Sequence, residues 1–598
     1  MLRQFVQSVL VGLALPAAIV SARPVTLAQD GAARAAIVVA ADATQAERFA
    51  AEQLRMYLKE ITGADFTTAG DPVEAPVRIL VGPGAARLAI ANFSTDDLGP
   101  DGIAIRTFGD DLILAGGRPR GTLYAVFTFL EYELGCRWWA PDATTLPKAR
   151  TIRIDPTDYR YVPPLEYREP FWTCAFDPDW AVRNRCNGNT PALDASRGGK
   201  HIYEGFVHTF YPLIPPQTYF NDHPEWFSEI NGKRTHEHAQ LCLTNEAMRQ
   251  ELVRNLKARL RANPAATIAS VSQNDWAGNC QCAACAAVEK EEESPAGLVL
   301  RFVNAVATDI ETEFPHVAIS TLAYQYTRKP PRLTRPRPNV IVRLCSIECS
   351  FSLPLAHERN AKFRDDIIGW SKICDRLYIW DYTTNFRHYF LPHPNLRVLG
   401  PNVKFFAEHS VKGIFEQGAY TSPGAEMAEL RAWVLAKLLW DPRLDGSKAI
   451  DEFLRGYYGP AAEHIKAYLD ITHNAVEQSG DWLGCFSEHT AKFLSFDTLS
   501  AGWTSLQAAE GAVRDNPDLL FRVKVAQLPV LYTLMMRWDE MRTAAAQAGK
   551  PWPVSDSIQQ VFEQFMDTAR KKNVTRLNEW ADGYGNLEQA VARAGSSK

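Results

Sequence analysis

The feature that most constrains this chain is a series of short, apolar, β-rich segments separated by helical stretches between residues 165 and 420. Strands that alternate with helices are typical of a parallel sheet with helical crossovers. Eight such segments fit within about 255 residues, which is the usual size of a (β/α)8 barrel. We predict strands at 165–173, 205–211, 240–245, 267–275, 317–326, 339–348, 376–382 and 413–420.

Different patterns flank this central region. Upstream, the β-rich run AAIVVA precedes an amphipathic helical segment that stops at Gly63, and a second helical segment covers residues 121–135. Downstream, the pattern is almost entirely helical. A chain of 598 residues is too long for one hydrophobic core. The predicted fold class is therefore α/β, with a central (β/α)8 TIM barrel at 159–445, a small N-terminal α/β domain at 23–158 and a C-terminal helical domain at 446–598.

The first 22 residues have the pattern of a secretory signal peptide. Arg3 provides a positive start, an apolar run interrupted by Pro16 follows, and small residues stand at Val20 and Ala22. The alternative is a retained N-terminal anchor. Because no later segment offers about 18 uninterrupted apolar residues, we expect no membrane span. The predicted location is periplasmic or extracellular.

Charge argues against a nucleic-acid partner. The formal net charge is -5, and the sequence has no run of Lys and Arg. Proteins that bind nucleic acid primarily usually carry a basic field or patch. With 46% hydrophobic and 22% charged residues, the chain instead has the composition of an ordinary globular protein.

Cysteine and histidine patterns do not predict a catalytic metal. The chain has 11 Cys, and three of them cluster as Cys280-Gln-Cys282-Ala-Ala-Cys285. This cluster lacks the paired spacing and the fourth ligand of a structural zinc site, so a disulfide or buried thiols are favoured over a metal. No HExxH, GxSxG or GxxxxGK[ST] motif is present. We therefore expect no metal and no cofactor.

Carboxylates follow several of the predicted strands, where a barrel of this kind carries its active site. A carboxylate at the end of a buried strand is costly unless it has a partner or a role. Cleavage of a glycosidic bond needs a protonated acid and a second group that supports the oxocarbenium-like transition state. The alternative is that ion pairs to Arg343 or Arg387 brace the barrel. The carboxylates in question are Asp275, Glu348, Asp381 and Glu416.

Aromatic and polar side chains crowd the same strand ends. Aromatic rings there favour a sugar-binding cleft, because they stack on the apolar faces of sugar rings. We therefore predict substrate-binding roles for Asn274, His208, Trp276, Tyr324, Tyr326, Trp380, Asp381 and Arg387, and a catalytic centre formed by Asp275, Glu348 and Glu416.

Several strings resemble a known family. Residues 121–141, GTLYAVFTFLEYELGCRWWAP, resemble the N-terminal domain of family 67 α-glucuronidases and family 20 hexosaminidases. The strings HPEWFSEINGKR, SVSQNDWAGNCQCAAC, CSIECSFSLPL, WDYTTNF and GIFEQGAY resemble a bacterial family formerly of unknown function that is now associated with glycoside hydrolase family 163. This resemblance covers about residues 35–440.

The resemblance implies a retaining endo-β-N-acetylglucosaminidase that acts on the N-glycans of glycoproteins. In such enzymes the 2-acetamido oxygen of the substrate attacks the anomeric carbon, so the protein supplies an acid and a group that holds the acetamide. The resemblance places this pair at Asn274 and Asp275. Acetamido-directed enzymes have Asp-Glu there, so the division of roles among Asp275, Glu348 and Glu416 stays open.

Three alternatives remain at the level of sequence. An α-glucuronidase-like hydrolase would need an Arg or Lys pocket for the substrate carboxylate. A noncatalytic glycan-binding protein would keep the barrel as a platform. A third alternative is a hydrolase of a non-acetylated plant or algal polysaccharide.

Overall fold

The computed structural model describes residues 23–70, 75–580 and 584–596. The predicted signal peptide, residues 1–22, lies outside the described residues. The described chain forms two compact units. The first contains residues 23–135 and 146–162, and the second contains residues 136–145 and the chain from residue 163 onward.

Strands occur between residues 25 and 417, and none follows in the part of the chain that the structure describes. They are β1 (Val25–Gln29), β2 (Ala32–Ala33), β3 (Ala35–Val39), β4 (Thr68–Ala69), β5 (Val77–Val81), β6 (Ile103–Phe108), β7 (Asp111–Gly116), β8 (Arg137–Ala140), β9 (Ala143–Thr145), β10 (Ile152–Ile154), β11 (Asp158–Tyr161), β12 (Tyr167–Phe171), β13 (Tyr203–Glu204), β14 (Glu229–Ile230), β15 (Lys233–Arg234), β16 (Ile268–Ser270), β17 (Ala318–Ala323), β18 (Val340–Cys345), β19 (Leu377–Tyr382) and β20 (Gly413–Gln417).

Helices lie between the strands and dominate the last third of the chain. They are α1 (Gln45–Thr62), α2 (Pro83–Ala86), α3 (Gly121–Tyr132), α4 (Pro178–Arg183), α5 (Phe210–Leu213), α6 (Pro216–Tyr219), α7 (Glu246–Ala262), α8 (Ala283–Glu292), α9 (Pro295–Glu311), α10 (Ala361–Ser371), α11 (Leu396–Glu408), α12 (Ala428–Trp440), α13 (Gly446–Tyr458), α14 (Ala462–Ser479), α15 (Phe496–Ala512), α16 (Pro517–Met536), α17 (Trp538–Gln547), α18 (Ile558–Lys571) and α19 (Tyr584–Ser596).

The first unit is an α/β structure around a six-stranded sheet with the order β11-β6-β7-β5-β3-β4. β3, β4, β5 and β7 are parallel, whereas β6 and β11 pair antiparallel. Helix α1 begins at a capping box in which Thr44 and Glu47 satisfy each other's backbone N–H groups. It ends at Gly63, whose φ of 78° is left-handed and favours glycine. This end agrees with the sequence pattern.

The second unit contains a curled seven-stranded sheet with the order β12-β20-β19-β18-β17-β16-β13. Every pairing in it is parallel, so the carboxyl ends of the strands meet at one edge. At the two ends of this sheet, an irregular segment takes the place of strand pairing. The Arg168 N–H donates to Asn187 Oδ1 at 2.9 Å, and the Tyr203 N–H donates to Asn189 Oδ1 at 3.0 Å. The closed eight-stranded barrel predicted above is therefore not confirmed.

Two of the eight predicted strands differ in the structure. The predicted second strand at 205–211 is replaced by the two-residue β13 just upstream, because His208 has a left-handed φ of 55° that an extended strand does not allow. The predicted third strand at 240–245 contributes a single bridge between Leu241 and Phe227. The chain leaves the extended conformation there because Asn245 caps α7 by accepting the Met248 N–H.

Helices α13 to α19 form the helical C-terminal region of the second unit. Among the described residues, one helix, α16, is long and apolar enough to cross a membrane. Most of its apolar window is buried inside the fold, as in the core helix of a soluble protein, so it does not by itself indicate a span.

Candidate active site

A cavity of about 290 Å³ opens at the carboxyl ends of β17 to β20. Its size is near the lower limit for small-molecule sites, which is about 300 Å³. The strands contribute one part of the wall, and loops of the helical C-terminal region contribute the other. The lining side chains are Val207, His208, Asp275, Leu322, Tyr324, Cys345, Ile347, Trp380, Tyr382, Phe386, Gln417, Tyr420, Phe486, Glu579 and Trp580.

Asp275 faces this cavity from the loop that follows β16. Its Oδ1 accepts a hydrogen bond from the Tyr324 hydroxyl at 3.1 Å, and His208 Nε2 lies 3.8 Å from the same oxygen. The other ring nitrogen of His208 lies 2.8 Å from the Gln273 carbonyl oxygen, which orients the imidazole. Burial, followed by the charge of Asp275, raises the pKa of Tyr324, so its hydroxyl remains a donor. Asp275 keeps 58% of its side-chain exposure and can contact a ligand.

Glu579 is the second carboxylate of the cavity. It accepts hydrogen bonds from the Tyr420 hydroxyl at 3.0 Å and from Gln417 Nε2 at 3.2 Å. Burial raises the pKa of Glu579, and the negative charge of Asp275 raises it further, although both hydrogen bonds favour the charged form. Gln417 is itself held by Trp380, whose indole N–H donates to Gln417 Oε1 at 2.7 Å. An acid with a raised pKa therefore faces a second carboxylate across the cavity.

This pair has the composition that glycosidic bond cleavage requires. One carboxyl group must be protonated at the working pH, and another must remain charged or polar nearby. Glu579 has the environment of the first, whereas the more exposed Asp275 has the environment of the second.

Aromatic rings form two walls of the cavity. Trp380 and Tyr382 stack at 6.4 Å with an interplanar angle of 26°, on the strand side. Phe486 and Trp580 stack at 5.7 Å with an angle of 23°, on the side of the C-terminal loops. Trp580 is 62% exposed, which is unusual for such a large apolar side chain. Exposed, ordered aromatic faces are suited to sugar rings.

Backbone hydrogen bonds bring the C-terminal loops to the cavity. Phe386 lies in the loop after β19. Its carbonyl accepts the Glu579 N–H at 2.9 Å, and its own N–H donates to the Cys485 carbonyl at 2.8 Å. One loop of the strand side therefore aligns both segments that supply Phe486, Glu579 and Trp580.

The structure brings four of the predicted site residues to this cavity, namely Asp275, His208, Tyr324 and Trp380. It does not place Glu416 or Asp381 there. Trp380 and Gln417 line the cavity, and successive side chains of a strand point to opposite faces, so Asp381 and Glu416 lie on the outer face of the sheet. Both are buried, and within the described part of the chain neither carboxylate oxygen of Glu416 has a hydrogen-bond partner. This position corrects the prediction that they face the substrate.

Glu348 and Arg387 border other grooves. Glu348 accepts a hydrogen bond from Arg328 at 2.5 Å, and the same guanidinium pairs with Asp366 at 2.6 Å. Arg387 pairs with Glu488 in an adjacent groove that shares Trp580 with the cavity. Glu348 therefore forms a bracing ion pair, which was the alternative to a catalytic role. Its partner is Arg328, and not Arg343 or Arg387 as the sequence analysis suggested.

Asn274, Trp276 and Tyr326 pack around the site without lining it. Asn274 is buried, and its side chain donates to the Ala239 carbonyl at 3.0 Å and accepts the Tyr211 N–H at 3.3 Å. The Trp276 indole N–H donates to the same carbonyl at 2.7 Å. Tyr326 is largely buried beside Glu289, and burial raises its pKa. Asn274 is therefore buried and holds the loop of Asp275 through these two backbone contacts.

Sequence reasoning missed Glu579, Trp580 and Phe486. These residues follow no strand and lie in a region that reads as uniformly helical. The only signal for them is the adjacent pair Glu579 and Trp580, an acid beside an aromatic residue. That pair alone is too common to identify a site.

Two groups of side chains in the described residues could hold a metal ion. One is His388, Glu488 and His489, which includes an exposed carboxylate. The other is Cys242, Cys280, Cys282 and Cys285, all buried. The second group corrects the premise that the cysteine cluster lacks a fourth ligand, because Cys242 supplies one from the segment that was predicted as the third strand.

Comparisons with solved structures show the fold. A family GH115 4-O-methyl-α-glucuronidase with specificity for decorated arabinogalactans is similar, with a TM-score of 0.58 and 12% identity over 95% of this chain and 80% of that one. CpGH84B has a TM-score of 0.48 with 12% identity, covering 96% and 98% of the two chains. A GH138 enzyme that targets pectin rhamnogalacturonan II has a TM-score of 0.46 with 12% identity, covering 94% and 99%.

The similarity to the first of these supports a glycoside hydrolase-like fold, and not family 163 in particular. No curated protein matches the chain. A family model matches residues 138–470, which is more than half of the chain. The chain therefore belongs to the family described as Domain of unknown function (DUF4838).

Proposed function

We propose that the protein is a glycoside hydrolase in which Glu579 is the general acid and Asp275 is the second carboxylate of the reacting centre. The observation that carries this proposal is the shared cavity, in which a carboxyl group with a raised pKa faces a more exposed carboxylate between two aromatic walls. The glycoside hydrolase-like fold is consistent with it.

The proposed substrate is a β-linked 2-acetamido sugar of a glycan, cleaved with retention of configuration. Glu579 would donate its proton to the leaving glycosidic oxygen while the acetamido oxygen of the substrate attacks the anomeric carbon. Asp275, fixed by Tyr324 and by the oriented His208, would accept a hydrogen bond from the acetamide N–H and stabilise the positive charge that develops on the bicyclic intermediate. Glu579 would then take a proton from the water that opens this intermediate.

A uronic acid is a weaker candidate for the substrate. Recognition of a carboxylate favours an Arg or Lys in the binding site. The described lining residues include neither an Arg nor a Lys, and two of them, Asp275 and Glu579, are acidic. The GH115 neighbour is a 4-O-methyl-α-glucuronidase with specificity for decorated arabinogalactans, but at 12% identity it indicates only the fold.

The decisive experiment compares Glu579→Gln and Asp275→Asn with wild type. On a complex N-glycoprotein, mass spectrometry of the released glycans should show wild-type turnover and a loss of about 100-fold or more in each variant, the usual contribution of acid–base and electrostatic groups. On nitrophenyl N-acetyl-β-glucosaminide, Glu579→Gln should lose much less, because a good leaving group needs little protonation. Asp275→Asn should lose activity on both substrates, and a thiazoline mimic of the intermediate should inhibit wild type.

Glu488→Gln is the matched control, since this carboxylate lies outside the cavity and pairs with Arg387. A loss in Glu348→Gln as large as that in Glu579→Gln would favour the sequence-based assignment and contradict ours. Glycan binding without any released product, in wild type as in the variants, would favour the noncatalytic alternative.

A further inference from the structure

Four buried cysteines meet beside the loop that carries Asp275. Cys280, Cys282 and Cys285 surround the start of helix α8, and Cys242 reaches them from the loop before α7. Their four sulfur atoms all lie within 4.8 Å of one another. Leu243, Val288 and Leu298 pack around the group and separate it from solvent.

The distances between the sulfurs fit a tetrahedral metal. Cys242 Sγ lies 3.7 Å from Cys282 Sγ and 3.9 Å from Cys285 Sγ. A zinc ion with four Zn–S bonds of about 2.3 Å places its sulfurs about 3.8 Å apart. A disulfide would instead join Cys242 to one partner at about 2.0 Å. An arrangement in which one sulfur is equally close to two others is expected of a coordination site.

Neighbouring groups are placed to stabilise thiolates. The Glu229 N–H donates to Cys280 Sγ at 3.3 Å, and Arg234 approaches the same sulfur at 3.6 Å. The Thr244 hydroxyl lies 3.2 Å from Cys285 Sγ. Four thiolates around a divalent ion carry a net negative charge. N–H donors and a guanidinium beside the sulfurs lower the free-energy cost of burying that charge.

We propose that Cys242, Cys280, Cys282 and Cys285 bind one structural zinc ion. Four sulfur ligands in a closed, buried tetrahedron are characteristic of a structural zinc site, with no open position for substrate or water. This site is separate from the cavity and does not depend on the proposed hydrolase activity.

The zinc ion would hold the loop that presents Asp275. Gln240, two residues before Cys242, donates to the Trp276 carbonyl at 2.6 Å and accepts the Asn274 N–H at 2.9 Å. The chain then reaches Cys280 four residues after Trp276. Ligands on both sides of this hydrogen-bonded segment would fix its two ends.

Metal content tests the site directly. Untagged full-length protein, purified without chelator and dialysed against metal-free buffer, should contain about one zinc per chain by inductively coupled plasma mass spectrometry. Cys242→Ser and Cys282→Ser should each lose at least nine-tenths of this zinc, whereas Cys174→Ser, outside the cluster, should keep it. Should the serine variants fail to fold, titration of the wild-type thiols with an organomercurial should release the same amount of zinc to a chromogenic chelator.

Three results would overturn the proposal. One is wild-type protein without zinc or with iron in its place. Another is unchanged zinc content in Cys282→Ser. The third is peptide mapping without reduction that joins these four cysteines in two disulfides. Because each measurement counts metal or disulfides, none of these results depends on whether the protein hydrolyses glycosides.

Discussion

Opposing influences act on the carboxyl group of Glu579. Burial and the charge of Asp275 favour its protonated form, whereas Tyr420 and Gln417 donate hydrogen bonds that favour the charged form. The raised pKa shows that the first pair of influences prevails. In the proposed mechanism this balance sets the pH above which Glu579 loses its proton and can no longer act as the general acid. Removal of one hydrogen-bond donor to Glu579 therefore tests the assignment.

Tyr420→Phe should move the alkaline limb of the pH profile to higher pH. Loss of the hydroxyl removes a hydrogen bond to the charged form, so the pKa of Glu579 rises and its proton is retained longer. We expect the limb of kcat/KM to shift upward by about 1–2 pH units, the equivalent of one hydrogen bond to a charged group. Profiles from pH 4 to 9 on an unactivated glycan would measure it. Tyr219→Phe is the control, because it removes the hydrogen bond that the Tyr219 hydroxyl on α6 donates to Glu251 on α7, away from the cavity. An unchanged limb, or a shift to lower pH, would exclude Glu579 as the titrating acid.

The predictability of these residues depends on how the chain reaches them. Asp275 and Tyr324 directly follow apolar strands, so their place at the rim could be inferred from the sequence. Asn274 was predicted to bind substrate beside Asp275, but its buried amide bonds to the backbone of Ala239 and Tyr211, a contact that depends on the fold of distant loops. Glu579 comes from a segment more than 150 residues beyond the last strand, and no local pattern connects it with the sheet.

At the level of elements, β19 and β20 carry two buried acids on the face opposite the cavity. Asp381 and Glu416 are paired across these strands. Burial raises the pKa of Asp381 to about 6, against hydrogen bonds from Ser346 and from the Tyr382 N–H. Burial and the charge of Asp381 raise the pKa of Glu416 well above its usual range. The folded sheet therefore binds protons more tightly than the unfolded chain.

This pair should make stability fall as pH rises. Its contribution is complete below about pH 4, where both acids are protonated in either state, and is lost as pH rises through about 6. Glu416→Gln keeps the shape of the protonated acid and removes its titration. We expect the variant to be more stable than wild type at pH 7 by on the order of 1 kcal/mol, and equal to it near pH 4.

Urea unfolding between pH 4 and 8 measures both predictions. Glu408→Gln, an exposed carboxylate on α11 with a weak contact to Lys404, should follow the wild-type dependence. A variant that is less stable than wild type at pH 7 would show that Glu416 is charged and satisfied in the folded protein.

The strands themselves were largely predictable, because β17 to β20 are short, largely apolar and β-rich runs, a pattern that favours burial in a parallel sheet. The face that each side chain occupies was not. Asp381 and Glu416 each neighbour a residue that lines the cavity, and a shift of one position exchanges the two faces. The run at 240–245 has the composition of a strand, but its Cys242 and Leu243 pack in the cysteine cluster.

At the scale of the whole second unit, the helical C-terminal region completes the site. Phe486, Glu579 and Trp580 come from residues that the sequence assigns to a helical domain of their own, at 446–598. Sequence patterns reveal helices and their apolar faces, but which loops between them reach the sheet depends on tertiary packing. The proposed acid therefore depends on how the segment before Trp580 docks on the loop after β20.

Ser422 contributes to this docking, together with the Phe386 carbonyl that accepts the Glu579 N–H. It is buried, and its hydroxyl oxygen accepts the Thr575 N–H at 3.0 Å and the Arg576 N–H at 3.1 Å. Nearby, Lys572 forms an ion pair with Glu429 of α12 at 2.7 Å. These contacts fix the chain three residues before Glu579 without touching the cavity.

Ser422→Ala should lower turnover by more than its loss of stability explains. Two backbone N–H groups lose their acceptor, at a cost of about 1–3 kcal/mol in the free energy of unfolding. The segment that ends in Glu579 then shifts, and a displacement of about 1 Å at a catalytic group costs up to about 100-fold in rate. At a temperature where the variant is fully folded by circular dichroism, we expect kcat to fall about 10-fold or more, with a smaller change in KM. Ser447→Ala, on the exposed start of α13, should change neither. Full activity in a folded but destabilised Ser422→Ala would mean that the reaction does not require Glu579 to be held by this segment, and the acid would have to be sought among the side chains of the strands.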